Sequence, residues 1–165
     1  MKQTLKLFGP LATAAILLAS CSSSKNAQTS VDRDDIKGSW RLDNISYEGV
    51  ANKDNLRITL LEEGTDACLK GSTWTFPNNG NGTYTISDGA SGCVSGERNI
   101  VWSYRTEGGQ PILQYKRISG GAKPSEIKDG YRFKVISADG ATLQLQSEVS
   151  FEGRPLYINY SFTKL

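Results

Sequence analysis

The chain has 165 residues, with 19 basic and 17 acidic side chains, three cysteines and no histidine. Without histidine there is no Ser-His-Asp triad, no Cys-His pair and no histidine-bound zinc. The nearly balanced charge leaves no electrostatic footprint for nucleic acid, and the length suits one domain with a sizeable core.

In chain order, Lys2 and Lys6 form a positive start, and Leu7 to Ala19 is an uncharged apolar run. That run is too short to cross about 30 Å of hydrocarbon, so residues 1–20 read as a secretory signal peptide. Leu18-Ala19-Ser20-Cys21 resembles a bacterial lipobox. The resemblance implies cleavage before Cys21 and acylation of that cysteine. The chain would then reach the membrane through its N-terminal lipid, each buried CH₂ contributing about 0.8 kcal/mol. An ordinary signal peptide beside a chance cysteine is the alternative. Ser22 after the lipidated cysteine resembles cargo sent to the outer membrane, so the implied location is the bacterial cell envelope, at the outer membrane. Loss of Lys2 and Lys6 with the leader leaves 17 basic and 17 acidic residues and a net charge of zero.

With Cys21 taken by lipid, Cys68 and Cys93 are an even pair in an exported chain and read as a disulfide. In the chain-entropy model, a loop of this size gives about 3 kcal/mol. Residues 21–35 are expected to be a lipidated, flexible tether, small and polar as far as Ser30. Its end, Asp32-Arg33-Asp34-Asp35, reads as a solvated lead into the fold rather than a metal site.

From Ile36 onward the period is two. Trp40 and Leu42 alternate, then the phase slips by one so that Ile45 and Tyr47 continue it, which predicts a bulge in the first strand. Glu48 to Asn55 is loop-like. Leu56 to Leu61 fits either a strand or a helical turn, ended by Glu62-Glu63-Gly64. Ser72 to Phe76 and Thr83 to Ile86 are strands about a turn at Pro77 to Gly82, rich in residues that tolerate positive φ. Asn99 to Tyr104 and Pro111 to Ile118 flank Gly108-Gly109, and Ser119 to Asp129 is irregular. Tyr131, Phe133 and Val135 alternate with Arg132 and Lys134 before a hairpin signal at Asp139-Gly140. Leu143, Leu145 and Val149 form the next strand. Gly153 and Pro155 mark a turn, and Leu156, Ile158, Tyr160 and Phe162 alternate in the last strand.

Short connections and one apolar face per strand predict an all-β, antiparallel up-and-down barrel of about eight strands, since closing the sheet removes its edges. At that size the interior holds side chains or one small ligand. Gly38-Ser39-Trp40, the strand rhythm, the lipobox, the cysteines at 68 and 93, Gly71-Ser72-Thr73-Trp74 and Ile100-Val101-Trp102-Ser103-Tyr104 together resemble the lipocalin-like lipoproteins of bacterial envelopes. The resemblance covers the chain from about Ile36, so residues 36–165 would be the barrel domain. The chain departs from the family pattern in lacking a Thr-Asp-Tyr segment and a clear helix after the last strand. The resemblance implies that Gly38 and Trp40 plug the closed end, where lipocalins set an arginine across the indole. Here the basic candidate is Lys164, which shares the phase of Phe162 and would pair beside Trp40; the alternative is a solvated residue at a frayed end. An even strand count requires Leu56 to Leu61 to sit outside the barrel or to replace another strand.

Three function classes compete. A carrier of a small hydrophobic molecule would line its barrel with Trp74, Phe76, Tyr84, Ile86, Trp102, Tyr104, Phe133, Leu145 and Tyr160; the same residues could instead simply fill it. A structural or partner-binding envelope protein would use its loops, above all Ser119 to Asp129 with Lys123, Pro124, Glu126 and Lys128. An enzyme is disfavoured. Oxidised Cys68 and Cys93 are not nucleophiles, no glycine-rich phosphate loop opens a helix, and Glu62 and Glu63, if on a strand, point to opposite faces. No cofactor or metal is implied, and the chain is expected to be a monomer.

Overall fold

Alternation over most of the chain buries one side of every strand, and a closed sheet satisfies all of them at once. The computed structural model describes residues 31–50, 56, 58–87 and 91–165. The leader, the lipobox and Cys21 lie outside the described residues. Eight strands run β1 Gly38–Glu48, β2 Thr73–Phe76, β3 Asn81–Ile86, β4 Gly96–Glu107, β5 Gln110–Ile118, β6 Tyr131–Ala138, β7 Thr142–Phe151 and β8 Arg154–Lys164. Each pairs antiparallel with the next, and β8 pairs with β1 to close the barrel. Two single-turn helices, α1 Arg33–Ile36 and α2 Asp66–Leu69, lie outside the sheet.

The bulge expected in β1 falls between Leu42 and Asn44, so Trp40, Leu42 and Ile45 all face inward and are buried. A second shift, between Val135 and Ser137 in β6, keeps Val135 and Ala138 on the inner side. The up-and-down order sorts the connections. The N-terminal segment, the β2–β3, β4–β5 and β6–β7 turns and the C-terminus share one end. The β1–β2, β3–β4, β5–β6 and β7–β8 connections share the other. The Cys68–Cys93 disulfide forms, with Cα atoms 5.4 Å apart, and staples two connections of that second end.

The first end is closed around Trp40. Its indole is fully buried and donates a 2.7 Å hydrogen bond to the Ile36 carbonyl. Lys164 pairs with Trp40 in the ladder, sets its ammonium 4.6 Å from the ring centroid and donates to the Lys37 carbonyl at 2.6 Å. Gly38 has φ +122°, and a Cβ there would meet the Lys164 stem at 2.8 Å. The glycine of the Gly-x-Trp motif is therefore what lets the lysine cross the indole.

Two expectations are corrected. Val31 to Asp35 are not the end of a tether. Val31 is buried in the core, its carbonyl accepts the Tyr104 hydroxyl, and Arg33 stacks 4.5 Å over Trp102 while donating to Asn78. Asn81 and Gly82 belong to β3 rather than to the turn. Gly82 is there for close approach and not for positive φ: a Cβ would lie 2.3 Å from the Thr75 carbonyl. The described residues of Leu56 to Leu61 sit outside the barrel, as an even strand count required; among them there is neither a barrel strand nor a helix, and Leu60 makes one isolated bridge to Gly64.

Candidate functional site

The barrel interior is a continuous aromatic and aliphatic stack. Trp74 lies over Tyr84 with centroids 4.3 Å apart, and Tyr115 contacts Trp74, Tyr84, Tyr131 and Phe133 at 4.9–6.1 Å. Between these side chains lies an apolar space of about 10 Å³, lined by Leu61, Trp74, Phe76, Leu113, Tyr115, Phe133, Leu145, Tyr160 and Phe162. That is at the lower limit for a single water. The Tyr115 hydroxyl is buried without a partner, the one such side-chain atom among the described residues.

Leu61 enters this space from the second end of the barrel. It belongs to a turn, Leu60 to Gly64, that is closed on itself: Leu60 N–H donates to the Gly64 carbonyl at 2.7 Å and Glu63 N–H to the Leu60 carbonyl at 2.9 Å. Leu61 and Glu62 sit at φ +52° and +59°, a left-handed pair without glycine. Each such residue costs about 1–3 kcal/mol and persists only where its surroundings fix it. The fixing contacts are side chains of the barrel wall. The Tyr131 hydroxyl donates to the Leu61 carbonyl at 3.0 Å. The Glu63 carboxylate, only 4% exposed, accepts from Tyr84 Oη at 2.5 Å, from Arg98 Nε at 3.1 Å and Nη2 at 2.8 Å, and from Arg117 Nη1 at 2.8 Å. Glu62, exposed, meets the other Arg117 nitrogen at 2.9 Å. The two carboxylates thus converge on one guanidinium. The expectation that they diverge across a strand fails because the backbone here is a left-handed turn.

The charge states follow from this geometry. Burial pushes the Glu63 carboxyl up, but hydrogen bonds from Arg98, Tyr84 and Arg117 outweigh it, and the group titrates below its ordinary value. Burial, then the Glu63 carboxylate, pushes the Tyr84 hydroxyl up, so it remains a donor. Burial takes Tyr160 up to about 12. This end of the barrel therefore carries an ionised carboxylate clamped between two arginines, and Leu61, two residues before it, lines the apolar space.

Of the nine residues expected to line a ligand site, Trp74, Phe76, Phe133, Leu145 and Tyr160 surround the residual space. Tyr84 belongs to the Glu63 clamp, and Ile86 is buried at the same end of β3. Trp102 and Tyr104 belong to the first end: Trp102 donates to the Pro77 carbonyl at 2.9 Å under Arg33, and Tyr104 binds Val31. Sequence reading missed Tyr115, Leu61, Glu63, Arg98 and Arg117. The Leu113, Tyr115, Arg117 alternation in β5 was the available signal for the wall. Nothing local marks Glu63.

The loop at 119–130 is pinned to β5 by Lys116, whose ammonium donates to the Ile127 and Pro124 carbonyls at 2.7 and 3.2 Å. Beneath Pro124, two open grooves of about 330 and 280 Å³ run along the outside of β3, β4 and β5. Among the described residues no cluster of carboxylates or cysteines is arranged to hold a metal ion. A family model described as a lipocalin-like domain matches residues 36–145. The matched span ends within β7, and β8, which closes the barrel on β1, follows it. No curated protein and no solved structure matches the chain.

Proposed function

The chain belongs to the lipocalin-like family, and on that premise we propose that it is a non-catalytic binding protein, lipid-anchored at the cell envelope, that takes a small hydrophobic molecule into the mouth of its barrel. The observation that carries this reading is the nature of the closure. The mouth is shut by a turn outside the barrel ladder, held by side-chain contacts, whose Leu61 occupies the top of the aromatic interior. Displacing that turn removes Leu61 and opens the well without breaking any strand pairing. The anchor rests on Leu18 to Cys21, and the outer membrane on Ser22.

Titration with decanol, followed by tryptophan fluorescence, tests it. Trp74 lines the space, whereas Trp40 is sealed at the closed end. A saturable change that Trp74→Phe abolishes supports binding in the well. No saturable change in the native chain or in Leu61→Ala, with the barrel folded, removes the carrier reading. The residual space of about 10 Å³ favours a second reading, a filled barrel whose 119–130 loop recognises an envelope partner. Capture from detergent-solubilised envelope by the native chain but not by Lys123→Glu/Lys128→Glu would favour it.

A further inference from the structure

The loop at 119–130 builds a wall on the outside of the barrel. Pro124 of the loop and Val101 of β4 line both outer grooves, and Lys116 fixes the loop there through the Ile127 and Pro124 carbonyls. At about 330 and 280 Å³, each groove is far larger than the apolar interior space of about 10 Å³. Asn81, Thr83 and Asn99 bring amides and a hydroxyl to one groove, and Ser103, Gln114 and Ser125 bring the same groups to the other. On the outer face of β7, β8 and β1 such side chains pair with one another: Gln146 donates to Asn159, Asn159 to Glu48 and Ser161 to Gln144. In the grooves these six side chains make no hydrogen bond to another described residue, so their donors and acceptors face outward to a ligand.

We infer that the two grooves are one binding site on the outer wall of the barrel, and that it takes a neutral oligosaccharide carrying acetamido groups. This is independent of any ligand inside the barrel. Charge argues first. No carboxylate lines either groove, and Lys116 spends its ammonium on the loop, so nothing there selects a phosphate, a nucleic acid or an acidic peptide. Topology argues next. A peptide that joins a sheet as an extra strand needs an open ladder edge, whereas β3, β4 and β5 are each paired on both sides. What the grooves offer is uncharged amides and hydroxyls around an apolar ridge of Val101, Ile118 and Pro124. Sugar hydroxyls donate and accept, as these side chains do. An acetamido group adds an amide for Asn99 or Gln114 and a methyl for the ridge. Small-ligand sites run from roughly 300 to 1,000 Å³, so the two grooves together have room for more than one sugar unit. The Lys116 bonds hold the wall in place without a ligand, which lowers the ordering cost of binding.

The test titrates triacetylchitotriose, and cellotriose, which has the same backbone without acetamido groups, into the exported chain carrying Cys21→Ser so that no lipid is attached. Backbone amide and indole NMR shifts report where each sugar sits. Triacetylchitotriose should give saturable shifts at Asn99, Val101 and Gln114, leave the Trp74 indole unmoved, and bind at least fivefold more tightly than cellotriose. Asn99→Ala/Gln114→Ala should weaken it at least tenfold. Lys116→Met, which unpins the wall and keeps the grooves neutral, should weaken it at least fivefold. Leu61→Ala, inside the barrel, should change nothing. No saturable shift with either sugar overturns the inference, and so do shifts centred on Leu61 and Trp74. Equal affinity for the two sugars overturns the acetamido class. Displacement of the sugar by equimolar trialanine blocked at both ends overturns it too and makes this a peptide groove. Unchanged affinity in Asn99→Ala/Gln114→Ala overturns the placement. Where that variant loses the dispersion of its amide signals, unchanged affinity in Lys116→Met overturns it instead.

Discussion

Replacing Trp40 by alanine should lower the melting temperature by about 10–15 °C. The indole is fully buried against α1 and the ends of β1 and β8, and truncating such a side chain costs about 3–5 kcal/mol. The Ile36 carbonyl loses its donor, which takes the cost toward the upper end. A domain of this size loses about 3 °C per kcal/mol. Lys164→Met separates the charge from the packing, since the methionine still covers the ring and Gly38. It removes the cation–π contact, about 0.5–2 kcal/mol, and the bond to the Lys37 carbonyl, for a fall of about 3–6 °C. The assay is a thermal melt of both single variants and the double variant. In the double variant the lysine should cost less than it does alone, because its aromatic partner is gone. A Trp40→Ala melt within about 3 °C of the native chain refutes the closed-end plug, and equal lysine effects in both backgrounds refute the cation–π contact.

Other outcomes follow from the same structure. Cys68→Ser/Cys93→Ser should cost about 3 kcal/mol in a urea melt, because the bridge spans 25 positions and staples two connections at the mouth; labelling of both thiols in the unreduced folded chain would contradict the bond itself. Glu63 has a folded pKa below its ordinary 4.5, so its clamp contributes fully above that pH and is lost as pH falls through the lower folded value. Native stability should therefore drop below about pH 4.5 by a component that Glu63→Gln lacks, read from urea melts between pH 7 and pH 3. Gly82→Ala should destabilise by about 1–3 kcal/mol, since the added methyl must push the β2 backbone away at Thr75, and a neutral effect would mean that the β2–β3 pair is not so close.

The frame of the molecule was readable because period-two alternation is a local signal with a global consequence. The slip between Leu42 and Ile45 told of the β1 bulge, and the phase of Phe162 placed Lys164 beside Trp40 from the far end of the sequence. The cysteine count gave the disulfide. What could not be read depends on residues far apart. Glu63 finds Arg98 and Arg117 at separations of 35 and 54 positions, and no pattern around Glu62-Glu63 distinguishes a clamped carboxylate from a solvated one. Leu56 to Leu61 fitted a strand or a helical turn because its β-branched and leucine content suits both; packing of Leu56, Ile58 and Leu61 against the core explains the same composition. Arg33 and Val31 were read as linker because a single turn of helix, closed by Asp32 and Asp35, is too short to leave a periodic trace.

The claim that the mouth opens by release of the Leu60–Gly64 turn is tested most directly by amide hydrogen exchange with and without saturating decanol. Ligands ordinarily raise protection near their site, whereas here the Leu60 and Glu63 amides, which close the turn on itself, should exchange faster in the bound form. The Trp102 amide, which donates to the Gly80 carbonyl at the other end of the barrel, should stay protected. Saturable binding that leaves Leu60 and Glu63 as protected as before, or more so, would contradict entry through this turn.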